Sequence, residues 1–285
     1  MKYGLIDIGS NSVRLLVCDE NTTYLKTNKI TRLSENMGDE LILKLEMVAR
    51  TVEAVSFFVN LARFNNVDVV KIFATAAVRL AKNQKFFLEQ VKSKTGYDVH
   101  VVSGELEACL GISGALNGKD GAIIDIGGAS TELAVVNGGE IVYKKSINIG
   151  AVSLYSRFNE DVDKILNEIK SKILELDFDA SNFLYGIGGT ITSLASIHLK
   201  LEPYDSSKIH GHCMTFKTVE KIVKKLCSLS LSEREKIVGL QRERAVSITS
   251  GALILYEIMK KFKISTITIS ESDNLEGYFN YLRGQ

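Results

Sequence analysis

Residues Ile6 to Leu15 read I-D-I-G-S-N-S-V-R-L, and residues Ile124 to Leu133 read I-D-I-G-G-A-S-T-E-L. From Asp7 to Asp125 the offset is 118 residues, and at that offset Asp7/Asp125, Ile8/Ile126, Gly9/Gly127, Ser12/Ser130 and Leu15/Leu133 are identical pairs. So long a period predicts two copies of a whole domain, not a short solenoid unit. Each copy has an apolar run, an aspartate, small residues and a second apolar run, which is the pattern of a β-hairpin whose turn carries the chemistry. A carboxylate at the strand end can hold a hydrated divalent cation, while a Gly/Ser turn lets backbone N–H groups approach phosphate oxygens. One D-x-G after a strand is also ordinary turn chemistry. Two copies with matching flanks favour a jaw for phosphate and metal.

At 285 residues, 45% hydrophobic and 24% charged, the chain can build two cores of ordinary size. A net charge of +1 excludes a global polycation, so a polyanionic ligand needs a local basic groove and nucleic acid is not an expected partner. No apolar run approaches membrane-spanning length, and the N-terminus enters an apolar strand at Tyr3 without a signal peptide. Cys18, Cys109, Cys213 and Cys227 lack C-x-x-C spacing, which suits reduced thiols in a cytoplasmic protein. With one proline, Pro203, and no low-complexity segment, the domain junction should be a compact hinge.

Hydropathy patterning predicts strands at Tyr3–Ile8, Val13–Asp19 and Thr22–Thr27, a helix over Leu43–Phe64, a strand at Val69–Ala74, a helix over Gln84–Lys94, a short strand at Val99–Val102 and a helix opening at Glu105. The second half repeats the order. Strands fall at Gly121–Asp125, Glu132–Val136 and Ile141–Ile147, followed by a helix at Asp161–Leu176 and a strand at Phe183–Ile187. A helix from Thr190, another over Arg244–Phe262 and a strand at Ile264–Ile269 complete it. Three strands followed by alternating helix and strand, twice over, predict an α/β protein with a duplicated actin-like, ribonuclease-H-like fold. The expected domains are residues 1–116 and 117–272 with a cleft between them, and a C-terminal helix at about 273–285 that packs back on the first.

Beyond the two loops, the chain carries A-T-A-A-V-R at Ala74–Arg79, S-G-E-L-E-A at Ser103–Ala108, I-N-I-G-A at Ile147–Ala151, G-I-G-G-T at Gly186–Thr190, and R-A with a following glycine at Arg244, Ala245 and Gly251. In this order the blocks resemble the exopolyphosphatase/guanosine pentaphosphate phosphohydrolase (Ppx/GppA) family of the actin, hexokinase and Hsp70 superfamily. The resemblance spans the chain, which stops before the extra C-terminal helical domains of longer members and so resembles the short, two-domain class.

The resemblance implies that Glu107 is the catalytic carboxylate acting on the attacking water, and Glu107 also lies in the first turn of a helix, where a negative charge is favourable in its own right. Leu106 stands where many members carry glutamate. Asp125 and Glu132 are implied in catalysis as well and, with Asp7, as ligands of Mg²⁺ or Mn²⁺; turn formation and a solvated strand position are the alternatives. Arg79 matches the arginine of the A-T-x-x-x-R block and offers a guanidinium fork to phosphate; Arg14 is a second candidate that could instead pair with a carboxylate. Gly9, Ser10, Asn11 and Ser12, with Gly127, Gly128, Ala129, Ser130 and Thr131, should supply backbone and hydroxyl donors. Ala129 replaces a third glycine usual in the family, and would cost about 1 kcal/mol if the position required positive φ.

Gly186–Thr190 resembles the superfamily's adenosine loop and equally fits close strand-to-helix packing. His210, His212 and Cys213 match no zinc spacing. The implied activity is metal-dependent release of terminal phosphate from inorganic polyphosphate or guanosine pentaphosphate, with a homodimer compatible; an actin-like ATPase or small-molecule kinase using the same jaw is the alternative. The absence of further C-terminal domains implies a preference for short chains.

Overall fold

The computed structural model describes residues 1–38, 40–177, 179 and 184–284. In the first half, strands β1 (Tyr3–Ile8), β2 (Ser12–Cys18) and β3 (Thr23–Ile30) lead into helix α1 (Leu45–Phe64), then β4 (Val69–Ala74), α2 (Ala76–Leu80), α3 (Gln84–Thr95), β5 (Val99–Val101) and α4 (Gly104–Leu116). The second half runs β6 (Gly121–Ile126), β7 (Thr131–Asn137), β8 (Glu140–Ile147), α5 (Ala151–Phe158), α6 (Val162–Ile173), β9 (Leu184–Ile187) and α7 (Gly188–Leu199). It closes with α8 (Ser206–Ile209), β10 (Cys213–Thr215), α9 (Phe216–Ser228), α10 (Leu231–Arg234), α11 (Ile248–Lys261), β11 (Thr266–Ile269) and α12 (Asn274–Arg283).

The two sheets share one strand order, and the second carries an extra edge strand. The first has the order β3-β2-β1-β4-β5 and the second, read in the same sense, β8-β7-β6-β9-β11-β10. In each, an antiparallel meander is extended by a parallel strand, β4 beside β1 and β9 beside β6. This is the duplicated actin-like fold that the repeat predicts.

Strand alternation decides which side chains reach the cleft. Ile6, Ile8, Val13, Leu15 and Val17 face one core with α1 and α3, while Leu5, Leu16 and Phe73 face a second core with Leu275 and Tyr278 of α12. Asp7 and Arg14 therefore project on the α12 side. In the second sheet Ile124, Ile126 and Leu133 join the outer core, whereas Ile123, Ala134 and Val136 pack on Ile112 and Leu116 of α4. Asp125 and Glu132 thus project on the α4 side. Helices α4 and α12 cross between the sheets at contact distance, since a Cβ on Gly277 would lie 1.9 Å from the Leu110 carbonyl oxygen and one on Gly114 2.0 Å from that of Asp273.

Some elements depart from the expectations. The expected helix over Arg244–Phe262 is a 3₁₀ turn at Arg242–Arg244 followed by α11, so Arg244 belongs to the turn. The helix expected over Asp161–Leu176 runs from Val162 to Ile173, its start fixed by the Asp161 side chain, which caps it by accepting from Lys164 N–H. The strand expected from Phe183 is described from Leu184 onward; residue 183 lies outside the described residues. The α9 helix was not anticipated, although its buried stripe at Val219, Ile222, Val223 and Leu226 has helical spacing.

Candidate active site

The two hairpin turns have the same internal bond: Gly9 N–H donates to the Ser12 carbonyl and Gly127 N–H to the Ser130 carbonyl, each at 3.0 Å. They face each other so closely that a Cβ on Gly128 would lie 2.7 Å from the Ser10 Cβ, which is why a glycine stands there. Between the lobes runs a cleft of about 570 Å³ lined by both turns, by Asp7, Glu107, Asp125 and Glu132, and by Arg14, Lys26 and Arg244.

The repeat is broken at one informative position. Asp7 stands opposite Arg14 in the β1/β2 register, and Asp125 stands opposite Glu132 in the β6/β7 register. Directly opposed side chains share one face of a sheet. In the first lobe the pair is therefore opposite in charge: Arg14 donates through Nε to Asp7 Oδ2 at 2.9 Å and reaches Asp273 with a second nitrogen. In the second lobe the pair is like-charged. Burial drives the Asp125 carboxyl up to about 7 against the pull of Arg14, and the Asp273, Glu107 and Asp7 charges add to the rise. Burial first, then the Glu107 and Asp125 charges, push Glu132 well above the usual carboxylate range, although Ser146 Oγ donates to its Oε1 at 2.8 Å.

Glu107 enters from the first turn of α4, where the Ser103 hydroxyl caps the helix by accepting from Leu106 N–H at 3.0 Å. Burial raises its carboxyl, opposed by Arg79, whose Nη1 donates to Oε2 at 2.6 Å and also to the Val102 carbonyl at 3.1 Å. Asp7 is likewise raised by burial against Arg14, and its Oδ1 is buried without a hydrogen-bond partner among the described residues. Asp273 moves the other way, because Arg14 and Lys26 outweigh its burial.

Burial thus makes Asp125, Glu132, Glu107 and Asp7 bind protons more tightly than in an unfolded chain, where they titrate near pH 4. Without a bound cation, folding should therefore become less favourable as pH rises from about 4 toward 7, with the loss complete above the folded value. Asp125→Asn keeps the uncharged state throughout. Thermal midpoints in chelator should show the native protein losing ground to the variant over that range; a constant difference would contradict the buried like-charge pair.

The donor set is all oxygen and includes one orphaned atom, Asp7 Oδ1, which suits a hard divalent cation. Among the described residues no group of three His, Cys, Asp or Glu side chains converges as a ready metal cage. Magnesium commonly takes one or two carboxylates and fills its shell with water and substrate phosphate, and the residues present fit that mode.

Other expected site residues are placed as follows. Gly9, Ser10, Asn11, Ser12, Gly127, Gly128 and Ser130 line the cleft. Thr131 and Ala129 do not: the Thr131 hydroxyl donates to the Ile149 carbonyl at 2.7 Å, and Ala129 is buried. Ala129 is not among the residues with positive φ, so the alanine carries no backbone strain. Arg79 stands behind Glu107 rather than on the cleft wall, and both faces of the Arg14 fork are taken by carboxylates. Gly188–Thr190 lines the cleft at the start of α7. His212 pairs with His198 at 2.9 Å, while His210 accepts from Glu271 N–H at 3.2 Å.

Arg244 and Lys26 were missed as site residues. Lys26 donates at 2.6 Å to the Glu271 carbonyl and to Glu276. The Arg244 guanidinium lies over Gly189 at the N-terminus of α7, donates to Gln241 Oε1 at 3.0 Å, and has no carboxylate partner among the described residues. A guanidinium beside a helix N-terminus favours an anion there. Its sequence signal was only the R-A block.

The Ppx/GppA phosphatase family model matches residues 17–281. A bifunctional 3-dehydroquinate synthase/phosphatase of Fusobacterium nucleatum is 33% identical over 95% of the chain, which spans 45% of that relative's length. Exopolyphosphatase 2 of Mycobacterium tuberculosis is 26% identical over 99% of each chain. The crystal structure of the Aquifex aeolicus Ppx/GppA member aligns with a TM-score of 0.80 at 27% identity, covering 100% of this chain and 99% of the other. The chain belongs to the Ppx/GppA phosphatase family.

Proposed function

We propose that the protein is a metal-dependent phosphohydrolase that releases terminal phosphate from inorganic polyphosphate, and that guanosine pentaphosphate is a second substrate. The observation that carries this reading is the like-charged Asp125/Glu132 pair set opposite Glu107 in a cleft walled by two phosphate turns. Support also comes from the exopolyphosphatase of M. tuberculosis, matched over nearly its whole length, and from a guanosine-5'-triphosphate,3'-diphosphate pyrophosphatase of Vibrio atlanticus, 28% identical over 96% of this chain. Residues 1–116 with 273–285 would form one lobe and 117–272 the other.

In this mechanism the N–H groups and hydroxyls of the two turns hold the terminal phosphoryl oxygens, and Arg244 holds charge farther along the chain. Glu107, kept in place by Arg79, takes a proton as water oxygen bonds to the terminal phosphorus. The P–O bond to the next phosphate breaks, giving inorganic phosphate and a chain one unit shorter. Asp125 and Glu132, with Asp7, would hold Mg²⁺ or Mn²⁺, which when bound neutralises charge on the transferring group. No described helix is long and apolar enough to cross a membrane, and four free cysteines fit a cytoplasmic location. Phosphate release from long polyphosphate, tripolyphosphate, guanosine pentaphosphate and ATP tests the reading. Turnover of ATP alone, dependent on an added acceptor, would replace it with a kinase.

A further inference from the structure

The turn after β3 is laced to the outside of the first phosphate turn. Thr31 and Arg32 donate their N–H groups to the Asn11 carbonyl at 2.9 and 2.8 Å, and Ser34 donates its N–H and hydroxyl to the Ser10 carbonyl at 3.0 and 3.3 Å. These bonds hold Arg32 at φ 52°, a left-handed conformation unfavourable for a residue with a side chain. From there the Arg32 guanidinium crosses to the other lobe and donates to the Glu243 carbonyl at 2.6 Å. Glu243 lies in the 3₁₀ turn whose next residue is Arg244. A few residues on, Asn36 N–H donates to Ser156 Oγ of α5 at 3.3 Å, and the first N–H groups of α5 donate at 2.9 Å to the Gly127 and Gly128 carbonyls of the second phosphate turn. One turn of the first lobe thus touches the back of the first phosphate turn, the helix that backs the second, and the support of Arg244.

We propose that Arg32 is a positioning residue that registers Arg244 to the first phosphate turn, so that turn and guanidinium grip one phosphate chain together. The proposal rests on the phosphate-chain reading of the cleft. Arg32 does not line the cleft itself, and Glu35, 3.5 Å from its other nitrogen, steadies the fork. A charge-assisted bond to a carbonyl is directional enough to set a short turn. Within that turn Arg244 N–H donates to the Gln241 carbonyl and Ala245 N–H to that of Arg242, at 2.9 and 3.1 Å. So lightly held a segment should depend on its outside contact.

Hydrogen exchange on the ligand-free protein reads this without any assumption about substrate. Arg32→Ala should speed exchange of amides 241–245 by about tenfold or more while the core of α11 is unchanged. Unchanged exchange there would overturn the proposal. In tripolyphosphate hydrolysis, Arg32→Ala should raise KM about five- to tenfold with kcat within about twofold, as loss of one such bond implies. Arg32→Lys, which can still donate to the same carbonyl, should recover most of the KM. In an Arg244→Ala background Arg32→Ala should add nothing, because its effect passes through Arg244; additive losses would overturn the proposal. If Arg244→Ala alone leaves KM unchanged, the assignment of Arg244 to phosphate fails, and the exchange result still decides what Arg32 does.

Discussion

Glu107→Gln should fold and bind substrate as the native protein does, yet turn over about 10²- to 10⁴-fold more slowly. The substitution changes almost nothing but the ability to accept a proton. Glu107 is only 5% exposed and stands beside the Asp7, Asp125 and Glu132 carboxyls, paired with Arg79, whose bond to Oε2 an amide oxygen can still accept. A carboxyl whose proton affinity burial has raised is a stronger base toward water than an exposed one. In the proposed mechanism binding rests on the turns and Arg244, so KM should hold while kcat falls. Near-native kcat in a folded, purified variant would remove Glu107 as the base.

The second large effect concerns the cation. Chelator should abolish hydrolysis, and magnesium should restore it. The reason lies in the repeat: the first lobe neutralises Asp7 with Arg14, and the second leaves Asp125 facing Glu132 with no cation in register. Two buried carboxyls in that position either keep a proton or share a positive ion, and only the ion also neutralises phosphate. Asp125→Asn should therefore raise the magnesium concentration needed for half-maximal activity at least tenfold, or eliminate activity, measured by titrating the metal at saturating substrate. Full activity in excess chelator would reject metal assistance.

The repeat in the sequence was enough to establish the fold and to place Asp7 and Asp125, because strand alternation and a conserved turn pattern survive duplication. The substitution of Glu132 for Arg14 at the same repeat position was also visible as letters. Its meaning was not, since it depends on which residue each side chain opposes across the hairpin. Lys26 and Arg244 could not be read as cleft residues because they arrive from β3 and from a 3₁₀ turn far along the chain. Periodicity alone ran that turn into α11 and so hid Arg244 in a helix. Thr131 looked like a phosphate donor by its place in the motif, but it is the first residue of β7 and its hydroxyl serves the backbone at Ile149. Arg79 and Glu107 were identified separately, and their pairing joins α2 to α4, a contact no local pattern encodes.

The most direct measurement is a time course of long polyphosphate digestion by the purified protein with magnesium, resolved by chain length on a gel. A cleft that takes one chain terminus between two phosphate turns should yield inorganic phosphate and a population that shortens gradually through all intermediate lengths. Its binding should weaken as salt screens the local cations. Internal fragments early in the reaction, or no phosphate release at all, would contradict the account; full-length chains vanishing without intermediates would contradict its short grip on the substrate.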